Sequence, residues 1–132
     1  MTQATAFSLN DYLMAFRDYE GLGHPEGESG YRSGYPLAKR ITCVDGFSLS
    51  VQATGGAYCS PRKNIGPWYE VEVGFPSAAP ELIAHKAENP DDLTETVYPY
   101  VDIELVEQLI ALHGGPDEAT LAAMLKARAT PA

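Results

Sequence analysis

The sequence predicts an α+β fold, in which a three- or four-stranded antiparallel meander sheet carries C-terminal helices packed on one face and a short N-terminal helix. Three observations lead there. Phe47, Leu49, Val51 and Ala53 alternate with Ser48, Ser50 and Gln52, the period of a half-buried strand. Asp45-Gly46 separates that run from a second strand-like run, Lys39–Val44, which is the pattern of a hairpin. Ile103, Val106, Leu109 and Ile110 recur at helical spacing behind Asp102, a residue suited to capping.

One domain is expected over residues 1–132, a length that can bury a core without metal or disulfide support. Residues 8–20 read as the N-terminal helix. Ser8 can accept a hydrogen bond from a free first-turn N–H, and Leu9, Leu13 and Phe16 fall on one stripe flanked by Tyr12 and Tyr19. Residues 21–36 hold five glycines, two prolines and the tyrosines Tyr31 and Tyr35, a loop composition. The sheet region spans 39–101. Its hairpin is expected to have a two-residue turn at Asp45-Gly46, with positive φ at both residues. After a loop over 54–67, Tyr69, Val71, Val73 and Phe75 are expected to share one strand face and Glu70 and Glu72 the other. Glu81–Lys86 suits either a helical turn or a short strand, and Glu88–Asp92 is a turn. Thr94–Val101 reads as a fourth strand at the sheet edge, because Pro99 cannot donate to a central ladder. Helices are expected over 102–129, the first ending near His113 before Gly114-Gly115. The second opens at Pro116 with Leu121, Met124, Leu125 and Arg128 on one face.

Charge is unevenly distributed along the chain. Ten of the eighteen acidic residues lie between Glu81 and Glu118 with one basic residue, Lys86, so this segment carries -9, the formal charge of the whole chain. The remainder is neutral. That balance disfavours direct nucleic-acid binding through phosphate neutralisation and fits a basic protein surface as partner. No apolar run has the length of a membrane span, and Met1–Ala6 lacks the basic and apolar regions of a secretory signal. A cytoplasmic setting, with Cys43 and Cys59 as reduced thiols, is therefore expected.

No catalytic or cofactor signature stands out. Cys43, Cys59, His85 and His113 lack the short ligand spacing of a zinc site. Cys59, in a glycine-rich loop beside Arg62 and Lys63, is a candidate nucleophile if exposed. Glu70 and Glu72 could do acid–base chemistry or form the wet side of a sheet. Gly55-Gly56 and Gly21-x-Gly23 lack the Lys-Ser/Thr of a phosphate loop. Lys39, Arg40, Arg62 and Lys63, near Tyr58, could meet as a thin basic patch.

The runs Cys43–Ala53, Tyr58–Arg62, Gly66-Pro67, Val71–Ser77 and Thr96–Val101 resemble those of small proteins encoded by bacteriophages and prophages, over about residues 39–115. The resemblance brings no site residues. It implies a setting in which small acidic proteins act on host CRISPR effectors, restriction enzymes or transcription factors. The expectation is a non-enzymatic, anti-CRISPR-like inhibitor without cofactor or metal. Asp91, Asp92, Glu95, Glu104, Glu107, Asp117 and Glu118 would stand in for phosphates on a basic surface of a nucleic-acid-binding host protein. Tyr31, Tyr35, Tyr58 and Trp68 would add aromatic anchors. The alternatives are a small enzyme using Cys59 or Glu70 and Glu72, and a phage structural or accessory protein.

Overall fold

The computed structural model describes residues 7–16 and 37–129. Four strands, β1 (Ile41–Thr42), β2 (Ser48–Gln52), β3 (Glu70–Gly74) and β4 (Val97–Asp102), form an antiparallel sheet in the order β1-β2-β3-β4. Helices α1 (Leu9–Met14), α2 (Ile103–Leu112) and α3 (Glu118–Ala129) and a 3₁₀ turn over Glu81–Lys86 complete the α+β architecture. The reading of residues 21–36 as a loop, and of residues 17–20 as helix, lies outside the described residues.

Alternation in β2 is obeyed: Phe47, Leu49, Val51 and Ala53 are buried and the serines between them are not. The hairpin differs from expectation. The Cys43 carbonyl accepts from Gly46 N at 2.9 Å and Cys43 N donates to the Phe47 carbonyl at 2.7 Å, so the loop is Val44–Gly46, three residues. Only Gly46, at φ 98, is left-handed. Register explains the choice. A two-residue loop would pair Ile41 with Ser50 and turn Ile41 outward, since a one-residue slip exchanges the faces of a strand. The observed pairing sets Ile41 opposite Leu49, both fully buried.

β3 keeps its alternation only inside the ladder. Val71 and Val73 are buried, but Tyr69 and Phe75 are 69% and 48% exposed and Trp68 takes the core position. Phe75 leaves the strand at φ 50, and Trp68 is clamped by Asn10 of α1. The Asn10 side chain accepts from Trp68 N at 2.7 Å and donates to its carbonyl at 3.3 Å. β4 is the edge strand, as Pro99 required, and it bulges: Val71 pairs with Val101 but Val73 with Tyr98, so Pro99 and Tyr100 together face Glu72.

Asp102 caps α2 by accepting from Glu104 N at 2.9 Å, and Ile103, Val106, Leu109 and Ile110 form the buried face. α3 starts later than expected. Asp117 is its capping residue, accepting from Thr120 N, while Pro116 bridges to Cys43 beside β1. Its inner face is Thr120 and Met124, with Leu121 half-buried and Leu125 turned out. α1 packs on α3 and belongs to the core: Leu9, Tyr12 and Leu13 are at most 1% exposed. Ser8 caps it through Asp11 N, and the Tyr12 hydroxyl donates to the Lys39 carbonyl. Burial, with Asp117 nearby, pushes that phenol up to about 12.

The hairpin is tied to the end of α2. His113 stacks on Phe47 with ring centroids 3.9 Å apart and its Nδ1 lies 2.7 Å from Asp45 Oδ2. Asp45 Oδ1 also accepts from Phe47 N, and these contacts hold its carboxyl below the usual range. A depressed carboxylate adds stability above its unfolded pKa of about 3.9, lost as pH falls through the folded value. Asp45→Asn keeps the acceptor for Phe47 N and removes the charge. The variant is expected to melt lower than the parent at pH 7, with the gap closing below about pH 4. Salt is expected to shrink the gap, because the pair is exposed. A gap independent of pH, followed by circular dichroism, would refute this.

A candidate acidic interface

The turn between the 3₁₀ segment and β4 is built from local hydrogen bonds. Asn89 N donates to Thr96 Oγ1 at 2.9 Å, Asn89 Oδ1 accepts from Asp91 N, and the Asn89 carbonyl accepts from Asp92 N. Asn is suited to this because its side chain can close a turn on its own backbone. Glu95 N donates to the Asp92 carbonyl, and the buried Tyr98 hydroxyl donates to the Leu93 carbonyl from beneath. The backbone is thereby held while Glu88, Asp91, Asp92 and Glu95 remain exposed. No cation pairs with these carboxylates among the described residues.

The seven expected acids do not form one cluster. Glu104 starts α2 at the far end of β4 from this turn. Asp117 and Glu118 lie beside β1, on the other edge of the sheet, where Asp117 N donates to the Thr42 carbonyl. Three strand spacings, about 14 Å, separate the two edges. Two of the seven are engaged with backbone: Glu107 Oε2 accepts from Leu9 N at 2.8 Å, and Asp117 caps α3. No local pattern in the sequence could reveal the Glu107 contact, which links positions 98 residues apart.

Among the expected aromatics, Tyr31 and Tyr35 lie outside the described residues. Tyr58 is 43% exposed. Trp68 is 1% exposed, so it is a core residue and not a surface anchor. Its indole N–H donates to the Lys63 carbonyl at 3.0 Å, which satisfies its one polar atom inside. The sequence reading overlooked Tyr100, which the bulge presents next to Tyr58 with ring centroids 5.9 Å apart. Pro99 in an edge strand was the available signal for that irregularity.

The cysteines weighed for chemistry lie inside the fold. Cys59 is 1% exposed, not displayed by its loop, and its thiol donates to the Thr54 carbonyl at 3.2 Å. Cys43 is also buried; burial, then Asp45 and Asp117, pushes its thiol up to about 11. Cys43 and Cys59 are not joined in a disulfide. Both are expected to react with a thiol reagent at pH 8 at least about tenfold slower than free cysteine, and at the free rate in urea, because the thiolate is the nucleophile and needs access. Fast labelling of Cys59 in the folded protein would restore the nucleophile reading. Glu70 and Glu72 lie half-buried on the outer sheet face, and Glu72 Oε1 accepts from Tyr58 N at 2.8 Å. The Gly55 and Gly56 amides are taken by Asn64 and Thr54 side chains.

Arg40 reaches Ser48 and the Phe75 carbonyl at one end of β3, whereas Arg62 lies near the other end, so these two arginines do not meet. The described residues contain no group of three or more His, Cys, Asp or Glu able to hold a metal ion. No helix among them is long and apolar enough to cross a membrane. A cleft between α1, β1 and α3 is lined by Tyr12, Phe16, Lys39, Arg40, Asp117 and Thr120. Comparison with protein-family models, curated proteins and solved structures finds no match to this chain.

Proposed function

We propose that this chain is a non-enzymatic inhibitor of the kind phages encode, which binds a basic, nucleic-acid-binding surface of a host protein. An anti-CRISPR role is the sharpest form of that reading. The observation that carries it is the 88–96 turn, where Asp91, Asp92 and Glu95 are exposed on a hydrogen-bonded backbone without cation partners among the described residues. Carboxylates carried on a held backbone can replace phosphates at a basic surface, and a preformed turn lowers the cost of ordering the backbone on binding. The concentration of the chain's formal charge of -9 in residues 81–118 adds a long-range field.

The test is capture of host proteins on immobilised protein at about 0.05 M and about 0.5 M salt, across which the screening length falls several-fold. A nucleic-acid-binding protein held at low salt, released at high salt and displaced by DNA is the expected result. Capture indifferent to both salt and DNA, or no capture at low salt, would overturn the reading.

A further inference from the structure

The tip of the β1–β2 hairpin carries a chemically reactive pair. Asp45-Gly46 is the one Asp-Gly step in the sequence, and the chain has no Asn-Gly. An aspartyl carboxyl is attacked most easily by the amide nitrogen of a following glycine, because no side chain hinders the approach. Attack joins Gly46 N to Asp45 Cγ, and one oxygen of the protonated carboxyl leaves as water with the amide proton. The five-membered imide then takes up water. Opening at Cγ restores aspartate. Opening at the Asp45 main-chain carbonyl leaves the chain running through the side chain, as isoaspartate. No oxidant or cofactor enters the balance.

Steric cover does not block this step here. The Asp45 side chain is 51% exposed, and among the described residues nothing lies within 4 Å of the place a Gly46 Cβ would take, its chain neighbours aside. Hydrogen bonds hold the reacting groups instead. Gly46 N donates to the Cys43 carbonyl at 2.9 Å. One carboxyl oxygen of Asp45 accepts from Phe47 N at 2.9 Å, and the other lies 2.7 Å from His113 Nδ1. The backbone is tied to the end of α2, where Val44 N donates to the Gly115 carbonyl at 2.9 Å and Asp45 N to the His113 carbonyl at 3.3 Å. His113 is itself placed by its stack on Phe47. The same contacts favour the ionised carboxyl, which is a far poorer electrophile than the acid.

We infer that Asp45-Gly46 is a latent isoaspartate site, kept closed by the clasp of the hairpin on His113. Conversion lengthens by one main-chain atom the loop whose register sets Ile41 opposite Leu49. It also shortens the free carboxyl arm by one carbon, which takes it out of reach of His113. Modification at this step therefore loosens β1 from α2. The inference is independent of the proposed partner.

The experiment is incubation of the folded full chain at neutral pH beside its own tryptic peptide 41–62, cut after Arg40 and Arg62. Isoaspartate at position 45 is read by fragmentation mass spectrometry that distinguishes the two isomers, the full chain being digested first. The peptide is expected to convert, and the folded chain about tenfold or more slower, since only the opened hairpin reacts. His113→Phe keeps a ring against Phe47 and removes the Nδ1 contact. It is expected to convert about two- to five-fold faster than the parent, the factor of one exposed pair. Circular dichroism checks that the variant is folded, and the comparison of parent with peptide decides the matter where it is not. A folded chain converting as fast as the peptide, a peptide that does not convert, or folded His113→Phe converting at the parent's rate would each overturn the inference.

Discussion

Trp68→Ala is expected to cost about 3–5 kcal/mol of stability, the range for emptying a large buried aromatic site. Trp68 is 1% exposed and its amide and carbonyl are held by Asn10 of α1. Its ring is in close contact with Gly66, where a Cβ would come within 2.7 Å of the indole, so the loop has closed on it without slack. Truncation therefore leaves a cavity that the clamped backbone cannot readily fill, and removes the indole hydrogen bond to the Lys63 carbonyl. With a urea slope near 1.5 kcal/mol per molar, the midpoint falls by roughly 2–3 M. The same substitution in an exposed interface anchor would change stability by about 0.5 kcal/mol or less. Urea unfolding followed by circular dichroism separates the two, and an unchanged midpoint would return Trp68 to the surface.

Trp68 also shows where the sequence stopped being informative. Period-two alternation placed Tyr69 and Phe75 with Val71 and Val73, and it holds only for the residues that β3 pairs with its neighbours. Beyond them the backbone obeys long-range partners: Asn10, 58 positions away, turns Trp68 inward, and Phe75 turns left-handed. The hairpin makes the same point. Asp45-Gly46 announces a turn, but the burial of Ile41 opposite Leu49 selects three loop residues over two. Signals that depend on a few adjacent residues were legible, including the Ser8 and Asp102 caps, the α2 face and the edge position of Pro99. The candidate interface was legible only as composition. Charge counting found the acidic segment but could not foresee that strand order would divide its members between two edges, or that Glu107 would be engaged by Leu9.

Reversal of Asp91, Asp92 and Glu95 to lysine is expected to slow association with the captured host partner by about tenfold or more at low salt. The change takes the formal charge from -9 to -3 and inverts the field at one turn. Long-range fields act on encounter, so dissociation is expected to change less than association, and the difference from the parent is expected to close as salt rises. Folding is expected to survive, since these side chains are exposed and the turn is held by backbone, Asn89 and Thr96. Two single reversals locate the effect. Glu104→Lys lies at the far end of β4 and Glu118→Lys beside β1, about 14 Å across the sheet from the turn's edge. If the turn is the docking element, each is expected to slow association far less than the triple change. Equal slowing per charge at all three places would mean that the field of the whole chain steers the partner without a local footprint. Association of the triple variant at the parent's rate in low salt would make residues 91–95 a solvated turn and remove the observation on which the proposed function rests.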